Sequence, residues 1–137
     1  MLLWVTILAV WTTAVSVFSR TLPDDVVARV LAVLGFISGG FLLFLLSASN
    51  PFIRIFTNIP TNGRDLNPLL QDPGFIFHPP NLYMGYVGFS VAFAFAIASL
   101  LAGRLDSAWA RWSRPWTLAA WCFLTIGITL GLSLIHI

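Results

Sequence analysis

Four long apolar stretches, separated by polar connections, constrain this chain more than any other feature of its sequence. They cover residues 2–19, 26–46, 81–103 and 116–131 onward. A helix that crosses a hydrocarbon layer of about 30 Å needs about 20 apolar residues. The first three stretches come close to this length or exceed it, and the fourth is barely long enough. The sequence therefore predicts an all-α integral membrane protein, a bundle of about four transmembrane helices.

The amino-acid composition argues against several other functions and types of site. Of the 137 residues, 58% are hydrophobic, and the charged residues are seven arginines and five aspartates with a net charge of +2, which offer no basic face for nucleic acid. The only cysteine, Cys122, lies in an apolar stretch, so there is no disulfide framework and no C-x-x-C-H motif. The first stretch contains Trp4 and Trp11 and has no basic region before it. We therefore interpret it as a membrane helix and not as a signal peptide.

The arginines predict an orientation in the membrane. Alternate connections place Arg20, Arg29, Arg104, Arg111 and Arg114 on one side, and Arg54 and Arg64 on the other. Positive charge accumulates on the cytoplasmic side of membrane proteins. We therefore expect the loop at residues 47–80 to be periplasmic, and residues 20–25 and 104–115 to be cytoplasmic.

Turn residues and small residues predict how the helices connect and pack. Residues 20–25 read RTLPDD, in which Pro23 and the aspartates can end one helix and start the next, so we expect a tight hairpin. Small residues recur at steps of three or four in three stretches, a spacing that permits close helix contact. They are Ala28, Ala32, Gly35 and Gly39; Gly85, Gly88, Ala92, Ala96, Ser99 and Gly103; and Gly127 and Gly131.

The connection between the second and third stretches, residues 47–80, is a 34-residue loop. Loops of this length in compact proteins are usually functional or disordered, and the many large apolar residues here argue against disorder. Residues 67–71 predict one helical turn with Asn67 as the N-cap and Pro68 at the first position. Residues 72–74, Asp-Pro-Gly, then predict a chain reversal. We expect a loop of fixed shape.

His78 is the main candidate binding residue of this loop. Imidazole is the commonest protein ligand of transition metals and haem iron, and aromatic rings can pack against a porphyrin. Neighbouring residues that could complete such a site are Phe75, Phe77, Pro79, Pro80, Tyr83 and Tyr86. Pro79 disfavours helical geometry at His78, so we expect an extended corner just before the third helix. The alternative is a hydrogen-bonded histidine at the membrane interface without a ligand role.

The sequence from residue 63 to residue 121 closely resembles the CcmF family of cytochrome c-type biogenesis proteins. This range begins with GRDLNPLLQDPGFIFHPPNLYMGY, residues 63–86. The resemblance extends over residues 1–131. In that family the histidine of the FHPP motif is an external axial ligand of haem b, which corresponds to His78. The resemblance thus implies that His78 is a metal ligand. Arg64 is a further candidate, because a guanidinium matches the geometry of a haem propionate, although pairing with Asp65 or Asp72, or simple solvation, is an equal alternative.

The resemblance also implies a function. Members act in the bacterial inner membrane as part of a haem lyase that accepts haem from the haem chaperone CcmE. A thioredoxin-like partner presents apocytochrome c for covalent haem attachment. A related subfamily that serves nitrite-reductase cytochromes is an alternative that these residues do not separate. A transporter or a purely structural helical bundle is the competing interpretation from another class.

The family pattern leads us to expect that this chain is an internal fragment. Further helices should precede Met1, and a tryptophan-rich WWD segment, a partner histidine and two membrane histidines for a second haem should follow Gly131. Residues 132–137 depart from the family and match the translation of a common sequencing adapter. We therefore expect them to be an artefact and assign no ligand role to His136.

Overall fold

The computed structural model describes residues 1–54, 56, 62–63, 65–103 and 107–135. Within these ranges the chain forms four α-helices and a short 3-10 helix, with no strand, which confirms the all-α bundle. The α-helices are α1 (Leu2–Phe18), α2 (Asp24–Ser47), α3 (Gly74–Leu101) and α4 (Ala108–Ile135). Helices α2, α3 and residues 108–133 of α4 are long and apolar enough to cross a membrane, whereas α1 is apolar but has only 17 residues.

The connection between α1 and α2 is the predicted tight hairpin. Ser19 ends α1 with a backbone hydrogen bond to Val15, and Pro23 precedes the first turn of α2. Asp24 and Asp25 occupy that first turn, where negative charge is favourable near the helix N-terminus. The hairpin therefore makes α1 and α2 antiparallel neighbours.

Helix α3 begins seven residues before the predicted position, so the expectation of an extended corner at His78 is wrong. The Asp72 carboxylate accepts a hydrogen bond from the Gly74 N–H at 2.7 Å, and the helix runs on through Pro79 and Pro80. A proline φ near −65° is itself helical, and the cost is the backbone hydrogen bonds that two missing N–H groups would have made. Close packing of this turn against α4 offsets that cost. The predicted turn at residues 72–74 is real, but it starts α3.

Helix α4 also begins earlier than predicted, because part of the expected loop at residues 104–115 is helical. The Arg111 N–H bonds the Ser107 carbonyl at 3.3 Å, and Pro115 lies inside the helix. With 28 residues, α4 is well above the minimum for crossing a membrane, contrary to the sequence estimate. The predicted helical turn before α3 is confirmed as the 3-10 helix Pro68–Gln71.

Helix α3 lies at the centre of the bundle, since it packs against each of the other three helices and most extensively against α4. Leu8, Val30, Leu34, Val91 and Phe95 are among the most buried side chains of this core. Gly103, with φ 64°, follows the helix in the left-handed conformation that glycine tolerates best. Many large apolar side chains outside this core are exposed, as expected for contact with lipid.

The predicted small-residue faces have different outcomes. Those of α3 and α4 do pack closely against a neighbouring helix, at Gly85, Gly88 and Gly127. The face of α2 does not, because a Cβ added to Gly35 or Gly39 would meet no atom within 4 Å among the described residues. The expectation of close contact along α2 is therefore not met within this part of the chain.

Candidate functional site

Helices α3 and α4 meet along an antiparallel line of contacts that we call the α3–α4 seam. Its successive pairs are Gly88 with Ala120, Gly85 with Leu124, Leu82 with Gly127, and His78 with Gly131. At three of these pairs a glycine lies against the backbone or ring of its partner. A Cβ on Gly127, for example, would lie 2.5 Å from the Cα of Leu82. The seam therefore brings His78 directly against α4.

The imidazole of His78 is half-buried, and α4 determines its position. Its Nδ1 lies 2.7 Å from the carbonyl oxygen of Gly127. One turn further along α4, a Cβ on Gly131 would lie 2.7 Å from Cε1 and 3.2 Å from Nδ1 of the same ring. The ring thus occupies space that only a glycine leaves open.

The hydrogen bond fixes which nitrogen of His78 can bind a metal. A carbonyl oxygen can only accept, so Nδ1 carries the proton and the lone pair of a neutral ring is on Nε2. Nε2 has no hydrogen-bond partner among the described residues. Metal-binding histidines commonly use this arrangement, in which the other ring nitrogen donates to a carbonyl or carboxylate. The ring therefore fits an axial haem ligand.

A bare metal ion is a poorer fit. No group of three or more His, Cys, Asp or Glu side chains that could hold an ion occurs in the part of the chain that the structure describes. Haem needs only one or two axial side chains, because the porphyrin supplies the other four ligands of the iron. His78 alone can thus supply one face of a haem site.

The aromatic residues predicted to surround His78 divide into two groups. The rings of Tyr83 and Tyr86 lie against Trp4 of α1, with centroid distances of 5.4 Å and 5.6 Å, and Trp4 also contacts Phe41. They form an aromatic cluster with α1 and α2, at the same end of the bundle as His78 but on another side of α3 from the seam. The two tyrosines thus pack against α1 and α2 and not against α4. The members of this aromatic cluster are Trp4, Phe41, Tyr83 and Tyr86.

The remaining predicted site residues lie in the first two turns of α3. Phe75 and Pro79 are half-buried, while Phe77, with 61% of its surface exposed, and Pro80 are open to the surroundings. Phe77 is thus the ring among them that is most available to an external ligand. Arg64 and His136 lie outside the described residues, so the structure gives no position for either side chain.

Sequence reasoning missed Gly127 and Gly131 as neighbours of His78. It noted the pair only as a packing feature of α4. The sequence did contain a signal for this contact. When two antiparallel helices are joined by a short connection, residues at equal distances before and after the connection lie opposite each other. Counting outward from residues 102–107 places Gly127 opposite Leu82 and Gly131 opposite His78. This pairing was not predicted, because the sequence analysis placed the start of α4 at residue 116 and the helix begins at residue 108.

Comparison with known proteins gives consistent matches along the chain. Residues 1–134 match the family described as cytochrome C assembly protein. The cytochrome c-type biogenesis protein CcmF of Escherichia coli K12 is 70% identical over 131 residues, which are 96% of this chain. CcmF of Pseudomonas fluorescens is 72% identical over the same length, and the biogenesis protein NrfE of Haemophilus influenzae is 50% identical. No solved structure matches the chain.

The chain spans about a fifth of the length of these relatives, since the matched residues make up 20% of each. Together with three helices that are long and apolar enough to cross a membrane, the matches indicate a multi-pass membrane protein.

Proposed function

The chain belongs to the cytochrome c assembly protein family, and on this premise we propose that it is the part of a cytochrome c biogenesis protein that binds haem at the membrane surface. His78 supplies one axial ligand through Nε2. The observation that carries the proposal is the 2.7 Å contact between Nδ1 of His78 and the Gly127 carbonyl, which leaves Nε2 as the ligating nitrogen.

The setting of His78 supports haem as the bound molecule. His78 lies within the first two turns of α3, and Phe77, which precedes it in the sequence, exposes 61% of its surface, so this part of α3 offers an apolar ring to a flat macrocycle from outside the bundle. When bound, haem supplies the iron and the vinyl groups to which cytochrome cysteines become attached. The role of His78, Phe75, Phe77, Pro79 and Pro80 is to hold and orient it.

Tyr83 and Tyr86 support the site less directly. Their contacts with Trp4 tie α3 to α1 and hold the haem-facing end of α3 in place. The phenol rings also suit the membrane interface, where amphipathic aromatic residues accumulate. We propose that this end of the bundle lies at the periplasmic surface, with the segment in the bacterial inner membrane.

Haem in this site is cargo in transit. In the full-length protein we propose that haem arrives from the haem chaperone CcmE and leaves as apocytochrome c, presented by a thioredoxin-like subunit, is covalently modified. This role makes the protein a component of a haem lyase complex. We propose that other parts of the full-length protein supply the opposing ligand and hold a second, transmembrane haem.

A role in general cytochrome c maturation is favoured over the nitrite-reductase-specific one. The identity to the CcmF proteins, 70% and 72%, exceeds the 50% identity to NrfE. A transporter or purely structural bundle is disfavoured by the family match over residues 1–134.

The test uses a chimera in which the matching 131 residues of this chain replace those of full-length Escherichia coli CcmF. His78→Ala should remove the external haem and abolish cytochrome c maturation, because the variant lacks the imidazole that binds the iron. Asn81→Ala is the matched control: this residue lies one turn later on α3, and its side-chain amide donates to the Phe77 carbonyl. It should retain haem and activity.

Haem is measured by the absorption spectrum and by the haem-to-protein ratio of the purified protein, and maturation by the cytochrome c yield of the same cells. His78→Cys should shift the spectrum toward that of a thiolate-ligated haem, since cysteine can also bind iron. Unchanged haem content, spectrum and cytochrome yield in His78→Ala would refute the ligand assignment.

A further inference from the structure

We propose that Gly127 and Gly131 of α4 are positioning residues that set the tautomer and the orientation of His78 as an iron ligand. This inference rests on the proposed function, because it assumes that Nε2 of His78 binds haem. It adds that the ligand is built from two helices: α3 carries the imidazole, and α4 determines how the ring presents its lone pair.

The first step is the hydrogen bond. The Gly127 carbonyl receives Nδ1–H of His78 at 2.7 Å, a short distance for an N–H donor and a neutral acceptor. A carbonyl has two lone pairs, so this oxygen can serve the ring as well as the helix backbone. Since Nδ1–H points at α4, rotation of the ring by half a turn would break the bond and move Nε2 away from its present position.

The second step is the space at Gly131. An alanine there would place Cβ 2.7 Å from Cε1 of the ring, closer than side-chain carbons approach in real structures. Retreat of α4 would open the close backbone contact between Leu82 and Gly127 one turn away, whereas the imidazole can rotate about its own side-chain bonds. The ring is therefore the part that moves, and its hydrogen bond to Gly127 is the contact that it loses.

The third step links the hydrogen bond to the properties of the iron. A proton donated from Nδ1 to a carbonyl makes the imidazole a stronger electron donor at Nε2. Stronger donation favours the ferric state, so loss of the bond should raise the reduction potential of the bound haem. Outer partners of this kind commonly change metal affinity by about 10-fold to 100-fold.

The experiment compares Gly131→Ala with two glycine controls in the same full-length chimera. Gly85→Ala disturbs the α3–α4 seam at Leu124 without touching His78, and a Cβ on Gly39 of α2 would meet no atom within 4 Å among the described residues. Gly131→Ala should lower haem affinity by about tenfold and raise the potential of the remaining haem. Both controls should keep the wild-type affinity and potential, measured per folded protein.

A second measurement avoids any variant that fails to fold. In haem-free wild-type protein with ¹⁵N-labelled histidine, the nitrogen signals of His78, assigned by their loss in His78→Ala, should show the proton on Nδ1. A proton on Nε2 would overturn the inference. So would wild-type haem binding in Gly131→Ala, or an equal loss in Gly85→Ala. Retention of haem by His78→Ala would instead refute the proposed function itself, so the two failures are distinguishable.

Discussion

The indole Nε1 of Trp11 donates a hydrogen bond to the carbonyl oxygen of Met84 at 3.0 Å, which joins α1 to α3 inside the bundle. Trp11 is only 6% exposed. Its ring fills the space left by Gly88, where a Cβ would lie 2.9 Å from the indole, and it meets Trp116 of α4 edge to face. One side chain thus connects three helices.

The first prediction is that Trp11→Ala destabilises the full-length chimera by about 3–5 kcal/mol, because it opens a large cavity and removes a buried hydrogen bond. Trp11→Phe should cost about 1–2 kcal/mol, since most of the packing remains. The exposed Trp121 of α4 is the matched control, and Trp121→Ala should change stability little. Unfolding in detergent measures the difference. Equal effects at the two positions would contradict the central role of Trp11.

The second prediction concerns the α3–α4 seam. Gly85 lies against the backbone of Leu124, so the added methyl group of Gly85→Ala overpacks the seam at this point and should cost about 1–3 kcal/mol. Gly40 of α2 has no such neighbour among the described residues, and Gly40→Ala should be neutral or slightly stabilising because alanine favours a helix. Thermal unfolding of the two variants checks this. A loss of stability in Gly40→Ala as large as that in Gly85→Ala would show that close packing at the seam is not the cause of the effect.

The apolar stretches predicted the number and order of the helices because burial in lipid requires long apolar runs. The boundaries of α3 and α4 were less accurate. At both helix starts the sequence estimate gave prolines too much weight: Pro79, Pro80 and Pro115 all lie inside helices. Proline restricts its own φ to a helical value and disfavours helical geometry at the residue before it. Packing against the neighbouring helix can outweigh that local preference.

The candidate site was predicted only in part. The motif around His78 identified the residue, because imidazole chemistry and the family pattern are readable from sequence. The contacts of His78 with Gly127 and Gly131 were not predicted. They depend on which residues of α3 and α4 lie opposite each other, and the predicted starts of both helices were too late to give this pairing. The aromatic neighbours were assigned by closeness in sequence. Tyr83 and Tyr86 instead face Trp4, because a helix turns residues five and eight positions from His78 onto other faces.

The third prediction tests Arg64 as a partner of the haem propionates. Arg64→Gln in the full-length chimera should lower haem retention by several fold, because a charged hydrogen bond to a carboxylate is lost. Arg54, which is exposed in the same loop, is the matched control, and Arg54→Gln should have no effect. The haem-to-protein ratio and cytochrome c yield are the measurements. If Arg64→Gln behaves like Arg54→Gln, the arginine has no propionate role.

The fourth prediction is the orientation of the bundle. Arg20, Arg29, Arg111 and Arg114 lie at the end formed by the α1–α2 hairpin and the start of α4, whereas Arg54 follows α2 at the opposite end. Because arginine-rich ends remain in the cytoplasm, the His78 end should face the periplasm. With this orientation, the proposed haem site would lie on the periplasmic side of the membrane.

Cysteine accessibility in intact cells measures this orientation. Cys122 is first replaced by serine, and single cysteines are then introduced at Asn62 and Ser107, both of which are exposed and lie at opposite ends of the bundle. Asn62→Cys should react with a membrane-impermeant maleimide. Ser107→Cys should react only after the membrane is permeabilised, which also shows that this cysteine is chemically reactive. Labelling of Ser107→Cys in intact cells, with protection of Asn62→Cys, would mean that the bundle is inserted the other way and that His78 lies at the cytoplasmic surface.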